Sequence, residues 1–253
     1  MQLWTREHAL SLLPALAVML VLAAVLRYFL KSKPLSIRII PIQIIAVTLV
    51  LLEIGKQIMA SRGGYDLYSL PFHFCSLFIF MMPVMAFYKG RHQQTIYGIT
   101  ASLCTSVMLL MLIYPALIYS ADNVRNFFAT FLDMHTVVFH NLVLFAAILI
   151  IALRLHEPNK REQKPMVLFM LCFCTVSATM AQLLKTNFNN FYSCNVPPLE
   201  TLRLQLQASL GYGVTQALYI AIVTVLDVFF VLGAYWLYRG LRRLCAGKQS
   251  VTA

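Results

Sequence analysis

The sequence predicts an all-α fold, a polytopic membrane helical bundle of seven transmembrane helices. Three observations predict it. Of the 253 residues, 60% are hydrophobic and only 11% are charged, whereas soluble domains carry roughly a quarter charged residues. Apolar stretches recur along the whole chain, each near the ~20 residues that cross a bilayer as a helix. Basic residues gather in alternate intervals between those stretches.

The stretches fall at about 9–30, 37–60, 71–88, 95–119, 127–153, 165–185 and 214–238. The first is too long for a signal peptide and its basic flank follows it, so it reads as a retained helix. The second ends in Glu53 and Lys56, before a tight turn at Gly63-Gly64, and the third opens with LPFHFC, Leu70 to Cys75. The fifth carries Asp133, His135 and His140, and the run HEPNKREQKP, 156–165, separates it from the sixth. Cys172 and Cys174 in the sixth read as small packing residues, and Cys245 falls in the basic tail, so no cysteine spacing suggests a metal site. In the longest interval, 186–212, Leu199, Leu202, Leu206 and Leu210 follow helical spacing opposite Arg203, Gln205 and Gln207. That pattern fits an interfacial helix along the outer leaflet or a helix packed over the bundle mouth. The seventh stretch holds Asp227, to which no role is assigned. The remaining intervals are short, so residues 1–253 read as a single integral membrane domain.

A net charge of +11 invites a nucleic-acid reading, but the distribution argues for a membrane. Arg27, Lys31, Lys33 and Arg38, then Lys89 and Arg91, then Arg154, Lys160, Arg161 and Lys164, then Arg239, Arg242, Arg243 and Lys248 all fall on one side. These are fourteen of the 20 basic residues. The positive-inside rule then gives an outside N-terminus and a cytoplasmic C-terminus in a cell membrane. Membrane lipids are the expected environment, and no nucleic-acid partner is expected.

With that topology, a rise of 1.5 Å per residue puts Cys75 roughly 7 Å below the outer boundary. Glu53 comes at roughly 10 Å, Lys56 at about half that, and Asp133, His135 and His140 at roughly 10–20 Å. Lys185 and Asn187 close the sixth span on the same side. Titratable groups are costly in lipid, so a shared depth marks a functional site. Asp133 and His140, seven residues apart, fall on nearly one helix face. His135 and His140 diverge by about 140°, and His73 and Cys75 by about 160°, so neither pair should point equally at the bundle centre.

A thiol with an adjacent imidazole and a carboxylate behind it forms a nucleophile–base–orienter set. Cys75 with His140 or His135, backed by Asp133 or Glu53, has those residue types. The bland readings are packing for the cysteine, an ion pair for Glu53 and Lys56, and interhelical hydrogen bonds for the histidines. Cys75 and Cys194 are also candidates for a disulfide, since both would face an oxidising exterior.

LPFHFC resembles the LPLHLC signature of the YwaF-like family of bacterial integral membrane proteins. HTVVFHNLVLF is similar to that family's paired-histidine segment, and Thr186–Phe188 to its Asn-aromatic motif. Glu53 also matches. A eukaryotic branch includes an enzyme that moves polyunsaturated acyl groups onto ether lysophospholipids through a cysteine acyl-enzyme, which implies Cys75 as nucleophile and a span-five histidine as its partner. Phe72 and Phe74 stand where leucine is usual, and Asp133 has no counterpart.

The expected function is therefore a phospholipid acyltransferase or transacylase. Cys75 attacks, His140 or His135 serves as base and acid, and Asn187 or Lys185 holds a phosphate or oxyanion, with His73 supporting. The alternative is a small-solute or proton-coupled transporter using the same Glu, His and Asp groups, although the inner halves of the spans are nearly all apolar. No metal or cofactor is expected.

Overall fold

The computed structural model describes residues 3–62 and 64–247; Gly63, Lys248 and the Cys245 side chain lie outside them. Regular structure among the described residues is helical throughout. The α-helices are α1 (Arg6–Leu30), α2 (Leu35–Arg38), α3 (Ile40–Ala60), α4 (Leu77–Phe87), α5 (Gln93–Ile113), α6 (Ala121–Arg125), α7 (Phe131–Ala152), α8 (Gln163–Leu184), α9 (Pro197–Leu210) and α10 (Tyr212–Gly247).

Among the described residues, six segments are long and apolar enough to cross a membrane: α1, Leu35–Ala60, α5, α7, Lys160–Leu184 and Tyr212–Leu244 of α10. The stretch expected at 71–88 yields a shorter helix, Phe74–Phe87, about 21 Å long against ~30 Å of hydrocarbon. Pro71 holds Leu70 extended (ψ 146°), and His73 is extended too (φ −79°, ψ 153°), so the helix cannot start earlier. Likewise α5 stops before Pro115, with Tyr114 at φ −143°, and leaves the end of the expected 95–119 stretch to a short turn.

The centre of the bundle is α5, flanked by α4, α7 and α10. Its buried Gly98, Thr100, Ala101, Ser102, Thr105 and Ser106 are small, which lets neighbouring backbones approach closely. Ser102 Oγ donates to the Val231 carbonyl of α10 at 2.6 Å, while Thr100, Thr105 and Ser106 return their hydroxyls to carbonyls four residues back. The outer faces of α1 and α10 carry Leu13, Val21, Phe29, Leu226, Phe229 and Trp236 exposed. In water such a surface would aggregate; against lipid it is the required solvent-facing face.

The two ends of the bundle differ. At the basic end Arg27 and Arg38 donate to the carbonyls of Ala152, Leu153 and Arg154, closing the C-terminus of α7. Beside them Glu162 is buried, with His156 Nε2 at 2.9 Å and the Tyr235 hydroxyl at 3.2 Å, and Arg242 pairs with Glu157. The other end holds α9, the turns before α4 and after α8, and a cavity.

Candidate functional site

The cavity is about 500 Å³, within the range of small-molecule sites. One wall is a stripe of α7: Leu132, His135, Thr136, Phe139 and His140, at spacings of three, four, seven and eight. His135 and His140 occupy the two edges of that stripe, so both reach the cavity despite their angular separation. His140 Nδ1 lies 2.7 Å from the Thr136 carbonyl, one turn back. A carbonyl only accepts, so Nδ1 carries the proton and a neutral ring presents its Nε2 lone pair. That Nε2 is buried with no hydrogen-bond partner among the described residues.

A second part of the lining is the turn that carries Cys75. His73, Phe74, Cys75 and Ser76 all line the cavity, and Cys75 is the second residue of the helix Phe74–Phe87. Its N–H is among the first-turn donors that a helix leaves without an intrahelical acceptor. The turn is clipped to the far side of the bundle. Asn189 Oδ1 accepts the Phe74 N–H at 2.6 Å, Asn189 Nδ2 donates to the Phe72 carbonyl at 3.0 Å, and Ser177 Oγ donates to that carbonyl at 2.8 Å. Asn189 and Asn190 take left-handed φ angles of 49° and 62°, a conformation asparagine tolerates better than most residues. His73 Nε2 is 3.0 Å from the Tyr68 carbonyl, which fixes its proton on that nitrogen.

Charge enters from α3. Glu53 Oε1 takes Lys56 Nζ at 2.8 Å and Gln57 Nε2 at 2.7 Å, and its other oxygen lies 3.7 Å from His135 Nε2. The carboxylate thus sits behind one imidazole while its charge is balanced by lysine. Asp227 of α10 and Phe230 also line the cavity, with Cys174 Sγ 3.9 Å from Asp227 Oδ2. This chain is an integral, multi-pass membrane protein with a polar pocket at one end of its bundle.

The model of the TMEM164 family matches residues 3–238, nearly the whole chain. The chain belongs to the TMEM164 family. No curated protein and no solved structure matches significantly.

Within this TMEM164-family bundle, Cys75, His135, His140, Glu53, His73 and Asn187 line one cavity, whereas Asp133 and Lys185 do not. Asp133 is drawn to the start of α7, where its carboxylate accepts from Thr130 Oγ1 at 2.5 Å and Asn123 Nδ2 at 2.6 Å. Lys185 ends α8 with a left-handed φ of 52° and is exposed. Asn187 reaches the cavity with its amide already engaged, its Oδ1 accepting from the Tyr192 and Ser193 N–H groups. His73 and Cys75 both line the cavity, and the helix begins only after His73, whose backbone is extended. Cys75 and Cys194 are both free thiols.

Sequence reasoning missed Asn189, Asn190 and Asp227 as cavity residues. Depth along a straight helix put Asp227 outside the polar band, and no local pattern signals a side chain that clips a distant turn. The NFNN run with its two asparagines before Phe191 was the available cue.

Proposed function

We propose that this TMEM164-family protein is a phospholipid acyltransferase, a transacylase acting through a Cys75 acyl-enzyme. One observation carries the reading: Cys75 and His140, whose buried Nε2 has no hydrogen-bond partner among the described residues, line the same cavity. The thiol is enclosed, so its proton passes to an imidazole rather than to bulk water. In the first half-reaction His140 Nε2 takes the Cys75 proton and the sulfur attacks the ester carbonyl of a donor phospholipid. The C–O bond breaks, and the proton moves from His140 to the departing lysophospholipid oxygen. In the second, His140 takes the proton of an acceptor hydroxyl, that oxygen attacks the thioester, and the C–S bond breaks. The thiolate then recovers the proton. The Cys75 N–H at the helix start supplies a donor for the tetrahedral oxyanion. Lys56 supplies the cavity's cation for a phosphate, the part expected of Lys185.

The resemblance of LPFHFC to the YwaF-like family and its acyl-transferring branch supports this reading. So does the charge bias, which favours an outside N-terminus, a cytoplasmic C-terminus and Phe74–Phe87 as a short seventh crossing in the cell membrane. An outward cavity has no access to cytosolic acyl-CoA, and the donor is then another phospholipid. Asp227 in the cavity lining favours a second reading, transport of a small solute or proton.

The test is acyl exchange between labelled phospholipids in proteoliposomes, with intact-mass detection of an acyl adduct. The Cys75→Ala variant loses both exchange and adduct, and the Cys75→Ser variant retains at most a trace. Unchanged exchange in the alanine variant overturns the mechanism. Solute or proton flux that survives Cys75→Ala but fails in Asp227→Asn turns the site into a pathway.

A further inference from the structure

A helix on the surface of a soluble protein turns its charges outward. Helix α9 does the opposite. Leu199, Leu202, Leu206 and Leu210 are 44–56% exposed, whereas Arg203 is 9% exposed and faces the protein. Arg203 is held there by several partners. Its Nε and Nη2 donate to the two oxygens of Glu200 at 2.8 and 2.7 Å, and its Nη1 donates to Gln216 of α10 at 3.0 Å. Its guanidinium lies over the Tyr219 ring, 5.6 Å from the centroid. The helix is thus pinned to α10 through Arg203, with the four leucines left outward beside the uncharged Thr201, Gln205 and Ser209.

Two further observations identify what covers that face. From Val196 to Leu226 the only charged residues are Glu200 and Arg203, which consume each other. The outward leucines therefore run without a charged break into the exposed face of α10, through Val214, Leu218 and Ile222, which belongs to a membrane-spanning helix. With fourteen residues, about 21 Å, α9 is as short as Phe74–Phe87, but it carries Glu200, Arg203, Gln205 and Gln207 where that helix is apolar, so it is not a crossing segment. A short helix continuous with a lipid-facing span, its leucines outside and its ion pair inside, matches a helix lying in the membrane plane.

We propose that α9 is embedded along the leaflet at the cavity end of the bundle, its leucine face resting on phospholipid acyl chains. Asn195, which lines the cavity, stands two residues before α9. The helix therefore sets the rim of the cavity at the level of the lipid headgroups, and a membrane lipid meets the polar lining without leaving the bilayer. The placement of α9 stands apart from the acyl-transfer reading and survives its failure.

The experiment is fluorescence quenching in proteoliposomes. Trp4 and Trp236, the protein's two tryptophans, are replaced by Phe, and Leu206→Trp or Leu202→Trp supplies a single reporter. Trp236, exposed on α10, serves in a separate protein as the ruler for lipid contact. Phosphatidylcholine brominated near the start of its acyl chains is expected to quench the α9 reporters to within about twofold of Trp236, with aqueous iodide quenching them weakly. Strong iodide quenching without bromolipid quenching, a helix in water, overturns the proposal. Quenching by neither agent, a face covered by a second copy or another protein, overturns it as well. Leu199→Trp reads the same face should either variant fail to fold.

Discussion

Asn189 Oδ1 accepts the N–H of Phe74 at 2.6 Å, across 115 residues of chain. That single contact ties the turn after α8 to the helix start that carries Cys75, and the same side chain bonds the Phe72 carbonyl and Ser177 Oγ. Asn189 acts through position: it holds the backbone turn on which Cys75 lines the cavity.

Removing that clip has two separable effects. Asn189→Ala loses the helix-start acceptor and the tolerance of a left-handed φ, for about 2 kcal/mol together. Asn189→Asp keeps the acceptor and loses the donors, so it falls between wild type and alanine. Thermal unfolding in detergent reads the ordering, and the alkylation rate of Cys75 is expected to change several-fold in the alanine variant. Equal stability for all three proteins refutes the positioning role.

The pair of Glu53 and Lys56 predicts a rescue. Glu53→Gln leaves Lys56 without its 2.8 Å partner on the cavity wall, at a cost of about 1–3 kcal/mol because an uncompensated, partly buried charge remains. Adding Lys56→Met to Glu53→Gln removes that charge. The double variant is expected to be more stable than Glu53→Gln alone, and a double-mutant cycle of melting curves measures the coupling.

At the basic end, a methyl group on Gly98 would clash with Glu162 Oε2 and lie 3.3 Å from His156 Cε1. The glutamate cannot swing aside cheaply, being held by His156 and Tyr235. Gly98→Ala is expected to destabilise the protein by about 1–3 kcal/mol. Gly233→Ala, where a Cβ meets nothing within 4 Å, is the neutral control in the same melting assay.

A pH dependence follows from α9. The Arg203 guanidinium, bonded to both carboxylate oxygens, holds the Glu200 carboxyl below the usual glutamate range. A folded-state pKa lowered in this way stabilises fully above the unfolded value of about 4.3 and loses that stabilisation as pH falls through the lower folded value. The magnitude is small, since the carboxylate is partly exposed. Amide exchange in α9 should therefore lose protection below about pH 4. Glu200→Gln should remove that dependence; an identical acid response in the variant places its origin elsewhere.

Helix existence was legible because lipid imposes it: a span must satisfy its backbone internally and show apolar side chains, and both demands appear as composition. Helix ends were legible only in part. The proline at 71 and the one at 115 shorten two of the expected spans, and a hydropathy window averages over both. Glu53, Cys75, His135 and His140, placed at a similar depth by residue count along straight helices, line one cavity. Asp133 shared their depth and was lost to a helix start, since the choice between capping Thr130 and facing the cavity depends on Asn123, ten residues away.

By itself, then, the sequence determined a helical membrane bundle, its basic end, and the end that would hold titratable groups. Hydrophobic runs and charge bias are local quantities summed along the chain. Only the tertiary structure decided which of those groups share the cavity: that His73, extended just before the helix start, lines it with Cys75, that Asp227 reaches it, and that Asn189 holds the turn of Cys75. It also decided the orientation of α9, where the helical period fixes two faces but the partners of Arg203 select which one turns inward. Each of these depends on contacts between residues far apart in sequence, where rotation and tilt of whole helices set distances that spacing along one helix does not encode.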